Sequence, residues 1–173
     1  DTFDSDFMEE HCMEALERMG PEEAIDEMLA RAGKRDKQAI RVLGTIGSEE
    51  PLDTLLDYVD ADVGLQKVTF QALGKIGSEE AVQPLADQLV ADDAEVRSAA
   101  ARALGLIGDT RAIDPLGDVL DDEAESGSVR ASAAWALVQI GTEDALDTVS
   151  AYADDREYLV QAEAEKARDA SAA

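Results

Sequence analysis

The chain has 173 residues, and 40 acidic side chains against 15 basic ones give it a formal net charge of −25 at pH 7. Such a charge argues against a nucleic acid or an anionic membrane as the partner, because the long-range field of the protein repels phosphate groups. The single cysteine cannot form a disulfide within the chain, and no apolar run approaches the roughly 18 residues that a membrane-spanning helix needs. The length fits one domain.

The acidity has two explanations once a disordered acidic chain is set aside, since apolar residues recur regularly over most of the length. One is a high-salt cytoplasm, in which salt screens the repulsion between carboxylates. The other is an acidic protein of an ordinary cell. We favour the halophilic origin, and a haloarchaeal one in particular. No signal-peptide pattern is visible, and we expect a cytoplasmic protein.

The predicted elements begin with an acidic, polar stretch, Asp1–Asp6, and a helix at Phe7–Met19, which we expect to be the N-terminal cap. The further predicted helices are, in chain order, Glu22–Ala32, Lys34–Ile46, Glu49–Val59, Val63–Ile76, Glu79–Val90, Ala94–Ile107, Thr110–Leu120, Ser128–Ile140, Glu143–Ala153 and Glu157–Ala170. Pro84 and Pro115 fall inside two of these helices and should kink them, because each removes a backbone donor.

The last predicted helix, Glu157–Ala170, is more polar than the others. In it Glu163 and Lys166 align with Ala100 and Ala103 of the central unit. A polar outer face suits a terminal cap, because no further repeat covers it.

A glycine turn recurs along the chain and divides it into units. The glycines are Gly20, Gly47, Gly77, Gly108 and Gly141, at spacings of 27, 30, 31 and 33 residues. Each glycine follows one apolar run and precedes another with helical spacing. Two helices per unit and a period of 20–50 residues are typical of α-solenoids. The sequence therefore predicts an all-α fold, an α-solenoid (α-α superhelix) of about five helix pairs.

The unit around Gly108 resembles the HEAT-like repeats of the phycobilisome-lyase type. The match is carried by Val96, Arg97, Ala100, Ala103, Leu104, Gly105, Ile107, Gly108, Asp109, Ala112, Ile113, Pro115 and Leu116. The resemblance covers roughly Pro21–Ala153. Together with the helix pattern it predicts a single HEAT-like repeat domain over residues 1–173, with an N-terminal cap at 1–19, repeats at 20–153 and a C-terminal cap helix at 154–173. It implies little about function, because such repeats serve many unrelated partners.

The same resemblance implies a structural role for two arginines at the start of helices. In this repeat family that arginine pairs with an acidic loop residue. For Arg97 and Arg130, we expect the partners to be Asp93 and Glu125.

His11, the only histidine, has Glu9, Glu10 and Cys12 beside it, and these residue types can bind a metal ion. Neighbouring side chains on a helix point about 100° apart, and Cys12 falls on the apolar face, where a free cysteine behaves as a small hydrophobe. Deoxyhypusine hydroxylases, which have similar repeats, hold iron with repeated His-Glu pairs that this sequence lacks. We therefore expect no catalytic residue, no metal and no cofactor.

A helical wheel at about 100° per residue divides the second helix of each unit into a core arc and an arc that faces away from the core. In HEAT-like solenoids the second arc lines the concave groove. It comprises, unit by unit, Lys37, Gln38, Arg41 and Thr45; Lys67, Val68, Gln71 and Lys75; Ser98, Ala99, Arg102 and Leu106; and Ala131, Ser132, Trp135 and Gln139. These 16 positions contain five basic residues, the only tryptophan and no Asp or Glu.

We interpret this arc as a partner-binding face, because it escapes the acidic bias of the chain. The candidate site residues are Lys37, Arg41, Lys67, Gln71, Lys75, Arg102, Leu106, Trp135 and Gln139. The alternative is that second helices pack closely and simply avoid charge, but the five cations argue against it.

The sequence therefore favours a non-enzymatic protein-binding module, an adaptor or assembly scaffold. Its groove would accept a protein partner such as an acidic helix or tail. Two alternatives stay open at this point: a subunit of a lyase or chaperone-like enzyme that uses the same groove, and a self-associating structural solenoid.

Overall fold

The computed structural model describes residues 21–171, and this part of the chain is helical without any strand. Its ten α-helices are α1 (Pro21–Ala32), α2 (Lys37–Ile46), α3 (Leu52–Leu56), α4 (Val63–Ile76), α5 (Val82–Asp87), α6 (Ala94–Ile107), α7 (Ile113–Asp121), α8 (Gly127–Ile140), α9 (Glu143–Ser150) and α10 (Tyr158–Ser171). Successive helix pairs stack along the chain, which confirms the predicted α-solenoid. The predicted helix Phe7–Met19, with His11 and Cys12, lies outside the described residues.

The turn glycines end α2, α4, α6 and α8, as their spacing predicts. Gly47, Gly77, Gly108 and Gly141 all have a positive φ, between 69° and 77°. Glycine adopts this left-handed conformation at no steric cost. The backbone N–H of each glycine donates to a carbonyl four residues earlier, which belongs to a buried leucine in every case. The opposite ends of these helices are capped by the side chains of Asp36, Asp62, Asp93 and Ser126.

The helices α2, α4, α6 and α8 pack side by side and form one layer. A glycine on one helix faces an alanine on the next, so that the backbones approach closely. A Cβ placed on Gly44 or on Gly105 would lie only 2.6 Å from the Cα of Ala72 or of Ala136, respectively. These small residues bring the four helices close enough to present one continuous face on the side away from α3, α5, α7 and α9.

The helices α3, α5, α7 and α9 are shorter than predicted, whereas α1 has its predicted length to within one residue. Two 3-10 segments, Glu79–Ala81 and Thr110–Ala112, precede α5 and α7, so Pro84 and Pro115 lie in the first turn of an α-helix and not inside a long, kinked one. The first turn tolerates proline because its N–H groups have no partner within the helix. The apolar period carries the prediction past the observed ends, since residues such as Val59 are buried although α3 ends at Leu56.

The terminal helix α10 packs against α8 and α9 in a register one residue away from the predicted alignment. Val160, Ala164 and Ala167 are fully buried; they, and not Glu163 and Lys166, take the core positions. Lys166 instead forms an ion pair with Glu163 at 2.7 Å. The predicted alignment was wrong by one residue because residues 158–173 contain no turn glycine that would fix the register of α10.

The two arginines at the helix starts pair one unit further along the chain than we predicted. Arg97 donates to both carboxylate oxygens of Glu125 at 2.5 and 2.8 Å, because the side chain of Asp93 caps α6 instead. Arg130 in turn donates to both oxygens of Asp155 at 3.0 and 2.6 Å. These hydrogen bonds hold the pKa of Glu125 and of Asp155 below their usual values. The arginines therefore join each loop to the next.

Candidate functional site

The continuous face of α2, α4, α6 and α8 contains an open cleft of about 590 Å³, which we call the groove. Seven of the nine candidate residues line it: Lys37, Arg41, Lys67, Gln71, Arg102, Leu106 and Trp135. Small residues such as Gly64 and Ala99 complete the lining. The structure thus brings together side chains that are almost 100 positions apart in sequence, between Lys37 and Trp135.

Two candidate residues do not line the groove. Lys75 and Gln139 are exposed near the C-terminal ends of α4 and α8. The ammonium of Lys75 donates to the hydroxyl of Thr45 on the neighbouring helix at 3.1 Å. These two residues lie on the predicted helix face but beyond the cleft.

One position of each unit forms a row across the groove. It is the sixth residue before the turn glycine, and we call its members, Arg41, Gln71, Arg102 and Trp135, the central row. The guanidinium of Arg41 donates to the side-chain oxygen of Gln38 at 2.5 Å. Within residues 21–171 neither Arg41 nor Arg102 forms an ion pair with a carboxylate. The central row therefore presents two guanidinium groups available to an acidic ligand.

Arg102 rests on the tryptophan of the next unit. Its guanidinium carbon lies 4.8 Å from the centre of the Trp135 ring, which is a cation–π contact. The ring itself covers Gly105, where an added Cβ would be 3.0 Å from a ring carbon. Trp135 is only partly exposed and packs against the core. In this position the ring of Trp135 supports the guanidinium of Arg102.

The lysines of the groove already have carboxylate partners. Lys67 pairs with Glu95 at 2.5 Å, and the Lys37 ammonium lies 4.0 Å from Asp62. Asp62 is the N-cap of α4 and also pairs with Arg35 at 3.0 Å. The helix wheel did not predict these acids, because it compares positions within one helix, whereas Asp62 and Glu95 lie at the N-terminal ends of α4 and α6, in the next unit. Their positions at the helix starts were the sequence feature that could have indicated them.

A second cavity, of about 280 Å³, adjoins the groove. It shares Lys67, Ala99 and Arg102 with the groove and is also lined by Glu95 and Ser128. The carboxylate of Glu95 therefore shares a cavity with both cations, Lys67 and Arg102.

The part of the chain that the structure describes has neither a metal-binding cluster nor a membrane-spanning helix. Residues 21–171 contain no group of three or more His, Cys, Asp or Glu side chains placed to hold a metal ion. No helix in the same range is both long and apolar enough to cross a bilayer.

The repeat architecture can now be compared with known proteins. Residues 36–94 and 86–167 match the family model described as HEAT repeats. The chain belongs to the HEAT-repeat family. No curated protein matches this HEAT-repeat chain at a significant level.

Solved structures share the fold of these HEAT repeats. Human deoxyhypusine hydroxylase, in complex with glycerol, is 23% identical; the match covers 85% of this chain and 73% of that one, with a TM-score of 0.56. An engineered protein is also 23% identical with a TM-score of 0.56, and the match covers 96% of this chain and 90% of that one. At these identities the likeness concerns the fold alone.

Proposed function

We propose that this protein is a non-enzymatic protein-binding module, an adaptor or assembly scaffold, that holds its partner in the groove. The supporting observation is the pair Arg41 and Arg102, which carry no carboxylate partner within residues 21–171 although the chain has a net charge of −25. Repeat solenoids use such extended faces to bind other proteins. Arginine and tryptophan are also the residues that most often dominate binding energy at protein interfaces.

The partner that fits this face is a protein with an acidic helix or tail. The remaining surface repels nucleic acid and anionic membranes through its net negative field. We further propose that the repeats are of the phycobilisome-lyase type, that residues 1–173 form one repeat domain with a cap at each end, and that the protein comes from the cytoplasm of a haloarchaeon. Loss of helix content at low salt would support the halophilic origin.

A second candidate is a subunit of an enzyme that uses the same groove. The fold is compatible with this candidate, since deoxyhypusine hydroxylase has a similar fold and is an enzyme. Absorbance spectra and elemental analysis of the purified protein would reveal a bound chromophore or metal and would support this candidate. A self-associating solenoid, the third candidate, would show a mass that rises with protein concentration in light scattering.

The proposed function is tested by affinity capture from an extract of the source organism, followed by calorimetry with each purified candidate. The variant Arg41→Gln/Arg102→Gln removes both guanidinium groups that lack a carboxylate partner. Its control is Asp118→Asn, which changes one charge on the exposed side of α7. We expect a partner that binds the wild type and the control and is lost with the double variant. A partner lost only with the control would place binding on the opposite face.

A further inference from the structure

We propose that carboxylates of the protein itself neutralise the two lysines of the groove, and that an acidic polypeptide segment binds by displacing them. This inference rests on the proposed function, because it describes how the same groove would select its partner. The ion pairs Lys67–Glu95 and Lys37–Asp62 would separate, and carboxylates of the segment would then pair with the two lysines. The guanidinium groups of Arg41 and Arg102 would bind further carboxylates.

The position of Glu95 is the first observation. Its carboxylate lies 2.5 Å from the ammonium of Lys67 and lines the same small cavity as Arg102. A carboxylate of a partner that approached these two cations would enter the same space. Glu95 therefore stands where a ligand carboxylate would bind.

The exposure of this ion pair is the second observation. The side chains of Lys67 and Glu95 are 46% and 66% exposed, so water can solvate each of them after separation. Such pairs contribute little net stability. The pair Arg130–Asp155 also joins successive units but is only 3% and 9% exposed, and separating it would leave a buried charge. The groove pairs can exchange partners, whereas the buried pair cannot.

The extent of the central row decides what kind of occupant fits. Arg41 lies on α2 and Arg102 on α6, with α4 between them. Packed helices are about 8–10 Å apart, so these two arginines start from axes about 16–20 Å apart. An extended chain that rises about 3.3 Å per residue crosses that distance in about six residues. A short acidic peptide is therefore long enough to place carboxylates at both arginines.

The experiment measures fluorescence anisotropy with fluorescein-labelled deca-glutamate as the probe. Glu95→Gln removes the displaced carboxylate, and Asp62→Asn removes the other while keeping a side chain that caps helices equally well. Glu49→Gln is the matched control, because it removes the same charge from an exposed site in the loop before α3, away from the groove. Circular dichroism verifies that every variant keeps the helix content of the wild type.

We expect Glu95→Gln to tighten deca-glutamate binding by about two- to five-fold, which is the range of an exposed ion pair, and the double variant with Asp62→Asn to tighten it further. Glu49→Gln should produce a smaller change, since it lowers only the net charge. Arg41→Gln/Arg102→Gln should weaken binding at least ten-fold.

Three outcomes would overturn the inference, and they differ in their meaning for the proposed function. Equal effects of Glu95→Gln and Glu49→Gln, with binding still lost in the double arginine variant, would refute displacement but keep the groove. Binding that ignores the arginines would refute both. Inhibition by millimolar inorganic phosphate as strong as that by unlabelled deca-glutamate would assign the groove to small anions in place of a polypeptide.

Discussion

At the scale of single residues, similar charges serve different purposes according to their burial. Arg130 is almost fully buried and paired with Asp155, so it stabilises the fold. Arg102 is exposed, lies on Trp135 and has no carboxylate partner within the described range. Both belong to second helices of their units, and only their positions relative to the neighbouring unit separate a structural arginine from a candidate binding one.

Replacing Trp135 with Ala should weaken binding of the partner by about 2 kcal/mol or more, because Arg102 would lose the ring that supports it. It should also lower the free energy of unfolding by about 1–2 kcal/mol, since the ring packs on Gly105. Calorimetry and urea denaturation measure the two effects. Gln139→Ala, an exposed substitution on the same helix, should change neither, and equal losses in both variants would contradict the assigned support.

Replacing Asp155 with Asn should lower the free energy of unfolding at pH 7 by about 2 kcal/mol or more, because the buried guanidinium of Arg130 would lose its counter-charge. Hydrogen bonds from Arg130 lower the pKa of Asp155 from its ordinary value of 3.8. The contribution is therefore complete above pH 3.8 and is lost as the pH falls through the lower folded-state value. Urea denaturation between pH 7 and pH 2 should show the variant and the wild type converging only in acid.

At the scale of elements, small residues set the distance between the helices that form the groove. Gly44 and Gly105 each face the backbone of an alanine on the next helix. By contrast, Gly117 on α7 has only the methyl group of Thr148 near it, at 3.7 Å from an added Cβ. The two kinds of glycine have the same helical conformation but different surroundings.

Gly105→Ala should consequently destabilise the protein by about 1–3 kcal/mol, as overpacking does. Gly117→Ala should be neutral or stabilising, because alanine favours a helix more than glycine does. Thermal unfolding of the two variants compares them directly. If Gly105→Ala proves as stable as Gly117→Ala, the helices α6 and α8 do not approach each other as closely as the structure shows.

Hydrogen exchange should vary with the position of a helix in the stack. The helices α4 and α6 have a neighbour on both sides within their layer, whereas α10 is the last described helix. We expect the slowest amide exchange in Val63–Ile76 and Ala94–Ile107 and faster exchange in α10. Mass spectrometry of proteolytic fragments can measure it, and uniform protection would favour a single cooperative core over a stack of units.

At the scale of the whole molecule, a surface of strong negative charge surrounds a groove that contains four cations, Lys37, Arg41, Lys67 and Arg102. Asp62 and Glu95 lie beside the groove and pair with its lysines, Lys37 and Lys67. Net self-repulsion thus affects the entire chain, while local attraction is concentrated at one face. Salt should weaken both, since it screens exposed charges.

If the acidity is a halophilic adaptation, the chain should lose helix content when the salt concentration falls. The Debye length grows from about 3 Å at 1 M to about 30 Å at 0.01 M, so that repulsion among the 25 net negative charges is no longer screened. Circular dichroism across this range gives the result. Unchanged spectra would leave an acidic protein of an ordinary cell as the better explanation.

The repeats, the bounds of α4 and α6 and seven of the nine candidate residues of the groove follow from the sequence alone. This was possible because glycine turns and apolar spacing are local properties, and because the arc away from the core follows from the period of one helix. The predicted bounds of Val63–Ile76 and Ala94–Ile107 agree with the structure. The same local reasoning misplaced α10 by one residue, where no turn glycine fixes the register.

The pairing of charged side chains, by contrast, depends on the tertiary structure. Glu125 pairs with Arg97, and Glu95 with Lys67, in each case across 28 positions of the chain. The helix period cannot foresee such pairs, because they depend on how one unit is rotated and shifted against the next. The same packing placed Trp135 beneath Arg102, a contact that the wheel of a single helix does not show. Contacts between units therefore determine that, within residues 21–171, the lysines of the groove are paired with carboxylates and Arg41 and Arg102 are not.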